Sequence, residues 1–228
     1  MRIALIHALR HSPPPIQAAF RELWPQAQLM NLLDDSLSAD LARTGRLTPE
    51  MTVRFLTLAR YAKSTGADAI LFTCSAFGTC IEAVARDLAP LPVLKPNEAM
   101  IEEAAALGKR IGLLATFPGT LTSMVAEFPK DVTIVPKLAE GALAALDRGD
   151  SEQHDGRAAR VALDLVDCDL IALAQFSLAR AAPRVAQATR LPVLTTPHSA
   201  VKKLQRLLLG VSAAAPPDRA SDAMIVMR

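Results

Sequence analysis

The sequence predicts an α/β protein of two similar domains, each carrying a four-stranded parallel sheet, related by internal duplication. Three observations lead there. Short apolar runs alternate with amphipathic helical segments, the pattern of βα units that feed a parallel sheet. The same series of runs occurs twice. The corresponding blocks keep their order while their spacing drifts slowly, as expected of a duplicated unit. "RIALIHAL" from Arg2 matches "RIGLLATF" from Arg110, "DAILFTCSA" from Asp68 matches "DLIALAQFS" from Asp169, and "LPVLKPNEA" from Leu91 matches "LPVLTTPHS" from Leu191, at offsets of 108, 101 and 100. All buried parallel strands are rich in Val, Ile and Leu, so the apolar likeness alone says little. The Arg, Asp and Leu-Pro that flank the runs carry the duplication.

In the first copy, strands are expected at Arg2–Ala8, Ala27–Leu33, Asp68–Thr73 and Leu91–Lys95, the second being the weakest run. In the second copy they are expected at Arg110–Thr116, Val132–Lys137, Asp169–Ala174 and Leu191–Thr196. Helical periodicity falls between them, at about Ile16–Trp24, Pro49–Thr65, Ile81–Leu88, Asn97–Leu107, Thr120–Phe128, His154–Val166, Ala179–Thr189 and His198–Leu209. Residues 1–97 with about 198–228 are expected to form the first domain, and 98–197 the second. The Ala- and Pro-rich Val211–Arg228 reads as a tail, with an edge strand from "AMIVMR" as an alternative.

Bulk composition narrows the function classes. Hydrophobic residues make up 51% of the 228 and aromatics only 4%, so Ala, Leu and Val must fill an ordinary-sized core. The formal net charge is +2 with both signs interspersed, and no basic run offers a nucleic-acid footprint. Three cysteines without a disulfide-framework spacing imply a reducing compartment. The short, interrupted apolar start does not read as a signal peptide, and no run approaches the ~18 apolar residues of a membrane helix. A cytoplasmic protein without membrane or nucleic-acid partners is expected.

Ligands of open parallel sheets sit at the carboxyl ends of the strands. Two related domains facing each other bring two such edges together, so the site is expected in a cleft between them. Matching loops then become pairs: His7–Ser12 with Thr116–Thr120, Cys74–Gly78 with Gln175–Leu178, and Pro96–Glu98 with Thr196–His198. Cys74 is the leading catalytic candidate. It stands where a strand ends and a helix begins, and a helix N-terminus favours the thiolate that acts as base or nucleophile. The alternative is a small buried hydrophobe. Its neighbours Thr73 and Ser75 suit a ligand better than a core. Cys80 falls within a helix and Cys168 precedes a strand at the far end, so both read as packing.

Other loops offer binding groups. In "TFPGT", Thr116 and Thr120 place hydroxyls where a helix starts, fit to hold a carboxylate; Thr120 as a plain cap is the alternative. His7 ends the first strand and is a candidate hydrogen-bonding or acid–base group. Arg10 reads either as a carboxylate partner or as a surface arginine. Glu98 and His198 occupy matching positions and read as rim orienters or caps. Phe77, Phe117 and Phe176 on the cleft loops suggest an apolar portion of the ligand. No GxGxxG, Walker, HExxH or CxxC pattern occurs, so no metal or nucleotide is implied.

The strand-end "TCSAFG", the "ATFPGT" loop, the two "LPVL" strands and the duplicated layout resemble the Asp/Glu/hydantoin racemase superfamily, which includes arylmalonate decarboxylases and maleate isomerases, over residues 1 to about 210. The resemblance implies two similar Rossmann-like domains, a small carboxylate substrate, a homodimer, and chemistry without cofactor or metal. It implies two cysteines, one per domain, on opposite faces of a carbon next to a carboxylate. Cys74 matches the first. Gln175 stands where the second is expected, and an amide has no pKa suited to proton transfer. The activity implied is a cofactor-independent, amino-acid racemase or epimerase type of proton transfer with a single catalytic cysteine. Arylmalonate-decarboxylase-like or maleate-isomerase-like chemistry, and a non-catalytic carboxylate-binding protein, are the alternatives. His7, Thr73, Ser75, Thr116, Phe117, Thr120, Gln175 and Ser177 are the substrate-binding candidates.

Overall fold

All eight expected strands form in a computed structural model, which describes residues 1–210. The first copy contributes β1 (Arg2–His7), β2 (Gln28–Leu33), β3 (Ala69–Phe72) and β4 (Val93–Leu94), and the second β5 (Arg110–Ala115), β6 (Thr133–Leu138), β7 (Leu170–Leu173) and β8 (Val193–Thr195). They build two separate parallel sheets, ordered β2-β1-β3-β4 and β6-β5-β7-β8. The duplication extends to register. Ile3 pairs with Ala69 and Ile70 with Val93 in the first sheet; Ile111 pairs with Leu170 and Ile171 with Val193 in the second. These are the same pairs carried forward by the sequence offsets.

The flanking Arg and Asp that signalled the duplication have a shared structural cause. Asp68 Oδ2 accepts the backbone N–H of Arg2 at 2.7 Å. Asp169 Oδ2 accepts those of Lys109 and Arg110 at 2.7 and 2.8 Å. A carboxylate preceding the third strand of each copy thus ties down the start of the first. Those N–H donors hold the Asp169 carboxyl below the usual carboxylate range.

Helices cover both faces of each sheet, which is why the inner strands β1, β3, β5 and β7 are buried and almost wholly apolar rather than alternating. They are α1 (Pro13–Leu23), α2 (Ser36–Thr44), α3 (Pro49–Ser64), α4 (Gly78–Leu88), α5 (Glu98–Leu107), α6 (Pro118–Val125), α7 (Ala142–Asp147), α8 (Ser151–Ala162), α9 (Ala182–Thr189) and α10 (Thr196–Leu209). On β1, Ala4 and Ile6 enter one core with Phe55, Phe72 and Phe77, while Ile3 and Leu5 enter the other with Phe20, Trp24 and Leu204. That alternation is the period-two geometry of a strand. The second core also receives Phe176 from the second copy and Ala200, Val201 and Leu204 from α10, so the halves share a core. In the second sheet Gly112 permits close helix approach: a Cβ there would stand 3.0 Å from Leu165.

Two helices were not expected at all, α2 and α7, each of which follows the second strand of its copy. In α2 only Leu37 is buried, so its apolar stripe is too thin to read from periodicity. α7 is six residues of Ala, Leu and Asp, too short to establish a period. The helix expected to run to Val166 ends at Ala162 and passes into a 3₁₀ turn, and the one expected from Ala179 starts at Ala182 after a 3₁₀ turn at Phe176–Ala181. The tail and the alternative "AMIVMR" strand lie outside the described residues. No helix among the described residues is long and apolar enough to cross a membrane.

Candidate active site

The strand-end loops of the two sheets meet around a cavity of about 510 Å³. From the first half come Leu9 and Ser12, the Thr73–Phe77 stretch, and Asn97; from the second come Phe117, Gly119, Thr120 and Ala174–Ser177. The two unexpected helices complete the walls, α2 with Ser38, Leu41 and Ala42, and α7 with Leu143. Among the described residues no charged side chain lines this cavity. A different groove, around Asp150, Arg157, Arg160 and Arg184 on α8 and α9, is open, charged and without a nucleophile.

Cys74 lines the cavity and is half-buried. Its backbone is extended, and a 3₁₀ turn (Ser75–Phe77) follows before α4. The expected thiolate bias of a helix start is overturned here. Burial pushes the Cys74 thiol pKa up, outweighing the Ala76 N–H and the Ser38 hydroxyl that pull it down. Three residues of 3₁₀ turn carry too little aligned dipole to offset desolvation. At neutral pH the side chain is therefore a thiol, a proton donor rather than a resident base.

Gln175 is the counterpart of Cys74 in backbone as well as in sequence: it too is extended and leads into a 3₁₀ turn. Its Oε1 accepts both the backbone N–H and the hydroxyl of Thr116, at 2.6 and 2.9 Å. That leaves only the two Nε2 hydrogens for anything in the cavity. Thr116 itself is buried and is not among the lining residues; it orients Gln175 rather than facing a ligand.

Correction also applies to His7. It is fully buried and not among the lining residues. Its Nε2 lies 3.0 Å from Asn31 Oδ1 and its Nδ1 2.8 Å from Thr73 Oγ1. Desolvation lowers its pKa, the Asn31 hydrogen bond opposing. The neutral ring donates from Nε2 to the Asn31 carbonyl, so Nδ1 accepts the Thr73 hydroxyl proton. His7 thereby fixes Thr73, which does line the cavity, with its oxygen as an acceptor. The Ser12 hydroxyl donates to the Thr73 carbonyl oxygen at 3.3 Å.

Ser75, Phe117, Thr120 and Ser177 line the cavity as expected of binding candidates. Thr120 is not the helix cap: Phe117 occupies the cap position of α6, with no side-chain capping bond. Phe77 and Phe176 are buried in the cores, whereas Phe117 is 49% exposed and free to pack on a ligand. Asp147 is contacted by Arg10 at 3.5 Å and by His11 Nε2 at 2.7 Å, which links the loop after β1 to the end of α7. Glu98 pairs with Lys203 at 3.2 Å, and His198 contacts Thr195 and Glu22. Cys80 and Cys168 are buried, Cys80 beside the Thr52 hydroxyl. Among the described residues no group of three His, Cys, Asp or Glu is placed to hold a metal ion.

Ser12, Ser38 and Asn97 line the cavity without having been singled out in the sequence. Ser12 and Asn97 belong to loops expected at the cleft, so position was the available signal. Ser38 sits on a helix that periodicity does not reveal. Asn97 and Ser177 share another property: each is 2% exposed, and Asn97 Oδ1 and Ser177 Oγ have no hydrogen-bond partner among the described residues.

Solved structures share this fold. An allantoin racemase from Klebsiella pneumoniae superposes with a TM-score of 0.67 at 21% identity, over 94% of this chain and 90% of that one. Glutamate racemase isoform RacE1 from Bacillus anthracis gives 0.68 at 12% identity, over 91% and 81%. A cysteine-for-glycine mutant of arylmalonate decarboxylase, in its sulfate-associated form, gives 0.63 at 20% identity, over 96% and 97%. No curated protein sequence matches significantly. The sequence matches the Asp/Glu/hydantoin racemase family over residues 14–204, most of the chain: this protein belongs to that family.

Proposed function

We propose that this protein is an enzyme that transfers a proton at the carbon next to the carboxylate of a small acid, with Cys74 as the proton-carrying group. One observation carries the reading: the thiol of Cys74 lines an uncharged cavity to which the other half contributes Gln175, held by Thr116 as a hydrogen-bond donor. Loss of a proton or of carbon dioxide from the α-carbon leaves an electron pair that delocalises into an enediolate, which needs donors aimed at its oxygens. Gln175 Nε2, the Ser75 hydroxyl and the Thr120 hydroxyl are the groups for that work, and Phe117 packs against the apolar part of the acid. Thr116 acts through Gln175, and His7 through Thr73.

In the racemase or epimerase reading, Cys74 first gives up its thiol proton to water; the thiolate then takes the α-proton, the electron pair passes into the enediolate, and a proton returns from the opposite face. Gln175 does not supply that proton; a water held by Ser177 would have to. The elevated Cys74 pKa and the amide opposite favour a second reading, decarboxylation of a malonate-type acid. There the bond to the departing carboxylate breaks, carbon dioxide leaves, and its electron pair forms the enediolate. The Cys74 S–H proton then moves to carbon, and the thiolate is reprotonated from water.

The test offers the protein single enantiomers of 2-aryl- and 2-amino-acids, and arylmalonates. Loss of optical activity supports the first reading and carbon dioxide release the second. Binding of these acids without either change would show a carboxylate-binding protein and overturn the proposal.

A further inference from the structure

We propose that Asn97 and Ser177 form a second polar subsite that selects acids bearing a neutral hydrogen-bonding group, a hydroxyl or an amide N–H, beside the carboxylate. The inference rests on the reading of the cavity as an acid-binding site. The two residues come from opposite halves, Asn97 from the loop after β4 and Ser177 from the loop after β7, and both line the cavity. Each is almost wholly buried, with an oxygen that no protein group satisfies. Leaving such a group buried and unpaired is costly, because it has given up its bonds to water and gained none in return.

Local structure does not account for either side chain. Asn97 occupies the cap position of α5, where asparagine ordinarily bonds a backbone N–H, yet it makes no such bond. Ser177 lies in a 3₁₀ turn, and its hydroxyl does not fold back on the turn. Thr73, Ser12 and Gln175 are tied to the protein, to His7, the Thr73 carbonyl and Thr116 respectively, and the hydroxyls of Ser75 and Thr120 are assigned to the enediolate. Asn97 and Ser177 are left over, and a ligand group that bonds them recovers the cost of their burial.

The absence of charge in the lining sets the chemistry of that group. An ammonium enclosed here would be stripped of water with no carboxylate to meet it, an expensive arrangement. A hydroxyl or amide N–H donates to the Asn97 carbonyl, and the hydroxyl oxygen or amide carbonyl accepts from Ser177. An N-acylated or 2-hydroxy acid therefore fits where a free amino acid does not.

Three probes of one framework separate the possibilities: phenylacetate, with no second polar group; mandelate, with a neutral hydroxyl; and phenylglycine, with an ammonium. Calorimetric titration of the wild-type protein should give mandelate an affinity about tenfold above phenylacetate, the size of one good net hydrogen bond, with phenylglycine weakest. In Asn97→Ala and in Ser177→Ala, mandelate should fall toward phenylacetate while phenylacetate keeps its affinity, which also shows the cavity intact. Equal binding of mandelate and phenylacetate by the wild type, an unchanged ratio in both variants, or tightest binding of phenylglycine would overturn the subsite and leave the proton-transfer reading standing. Failure of both phenylacetate and mandelate to bind would instead remove the acid-binding reading, and this inference with it.

Discussion

The loops that begin at Thr73 and Ala174 are built alike and equipped differently. Each leaves the third strand of its sheet in an extended conformation and enters a 3₁₀ turn. Each presents a side chain to the same cavity at its second residue. In one loop that residue is Cys74, with a thiol kept protonated by burial. In the other it is Gln175, with an oxygen tied to Thr116 and nothing left to offer but N–H donors. The duplicated backbone aims a group at the ligand from each side; it does not decide what that group does. In the proposed reaction, proton transfer and hydrogen-bond donation are thereby divided between the halves.

This division can be broken from either side. Replacing Cys74 with alanine removes the proton carrier, and turnover should fall by about 10²–10⁴-fold, the usual worth of a positioned acid or base, with acid affinity little changed. Gln175→Ala should act mainly on binding. Losing a donor to a charged oxygen costs roughly 1.5–3 kcal/mol, so acid dissociation constants measured by titration should rise by about 10- to 150-fold. Thr116→Val keeps the bulk beside Gln175 but removes one of the two bonds on its oxygen. Its effect should be smaller, about 0.5–1.5 kcal/mol on acid affinity, and it should shrink further in a Gln175→Ala background, because Thr116 acts through that amide.

Two pH effects test the electrostatics behind the comparison. Because burial raises the Cys74 pKa, its alkylation by iodoacetamide, followed by mass spectrometry, should be slow at neutral pH and accelerate only above the ordinary thiol range of about 8.5. Decarboxylation driven by the thiol proton should decline over the same rise. His7 has a folded pKa lowered below its ordinary 6.5, so the unfolded chain takes up the proton first. Its contribution to stability is complete above 6.5 and is lost as pH falls below that value. Thermal melts of a His7→Gln variant should therefore show a shallower loss of stability than the wild type between about pH 7 and pH 5.

Much of the scaffold was legible because it rests on local pattern. The apolar runs, the Arg–Asp pairs and the Leu-Pro turns repeat in sequence since the register they support repeats in space. That Cys74, Ser75, Thr120 and Ser177 would border a cavity was legible for a related reason: they follow strand ends, where parallel sheets leave a crevice. The misplacements have physical causes. α2 buries one leucine and α7 spans six residues, so neither shows a period, yet together they supply Ser38, Leu41, Ala42 and Leu143 to the cavity. His7 sits at the correct strand end but turns into the protein, because Asn31 on the neighbouring strand and Thr73 offer partners for both ring nitrogens. The Thr116–Gln175 bond joins residues on separate strand ends, and no sequence pattern encodes such a pairing.

The central claim is that the sulfur of Cys74 carries the proton. The most direct measurement is deuterium uptake from heavy water at the α-carbon of a bound or converted acid, read by mass spectrometry for the wild type and a folded Cys74→Ala variant. The account predicts label at that carbon with the wild type and only the uncatalysed background with the variant, at comparable acid occupancy. Equal labelling by both proteins would contradict it.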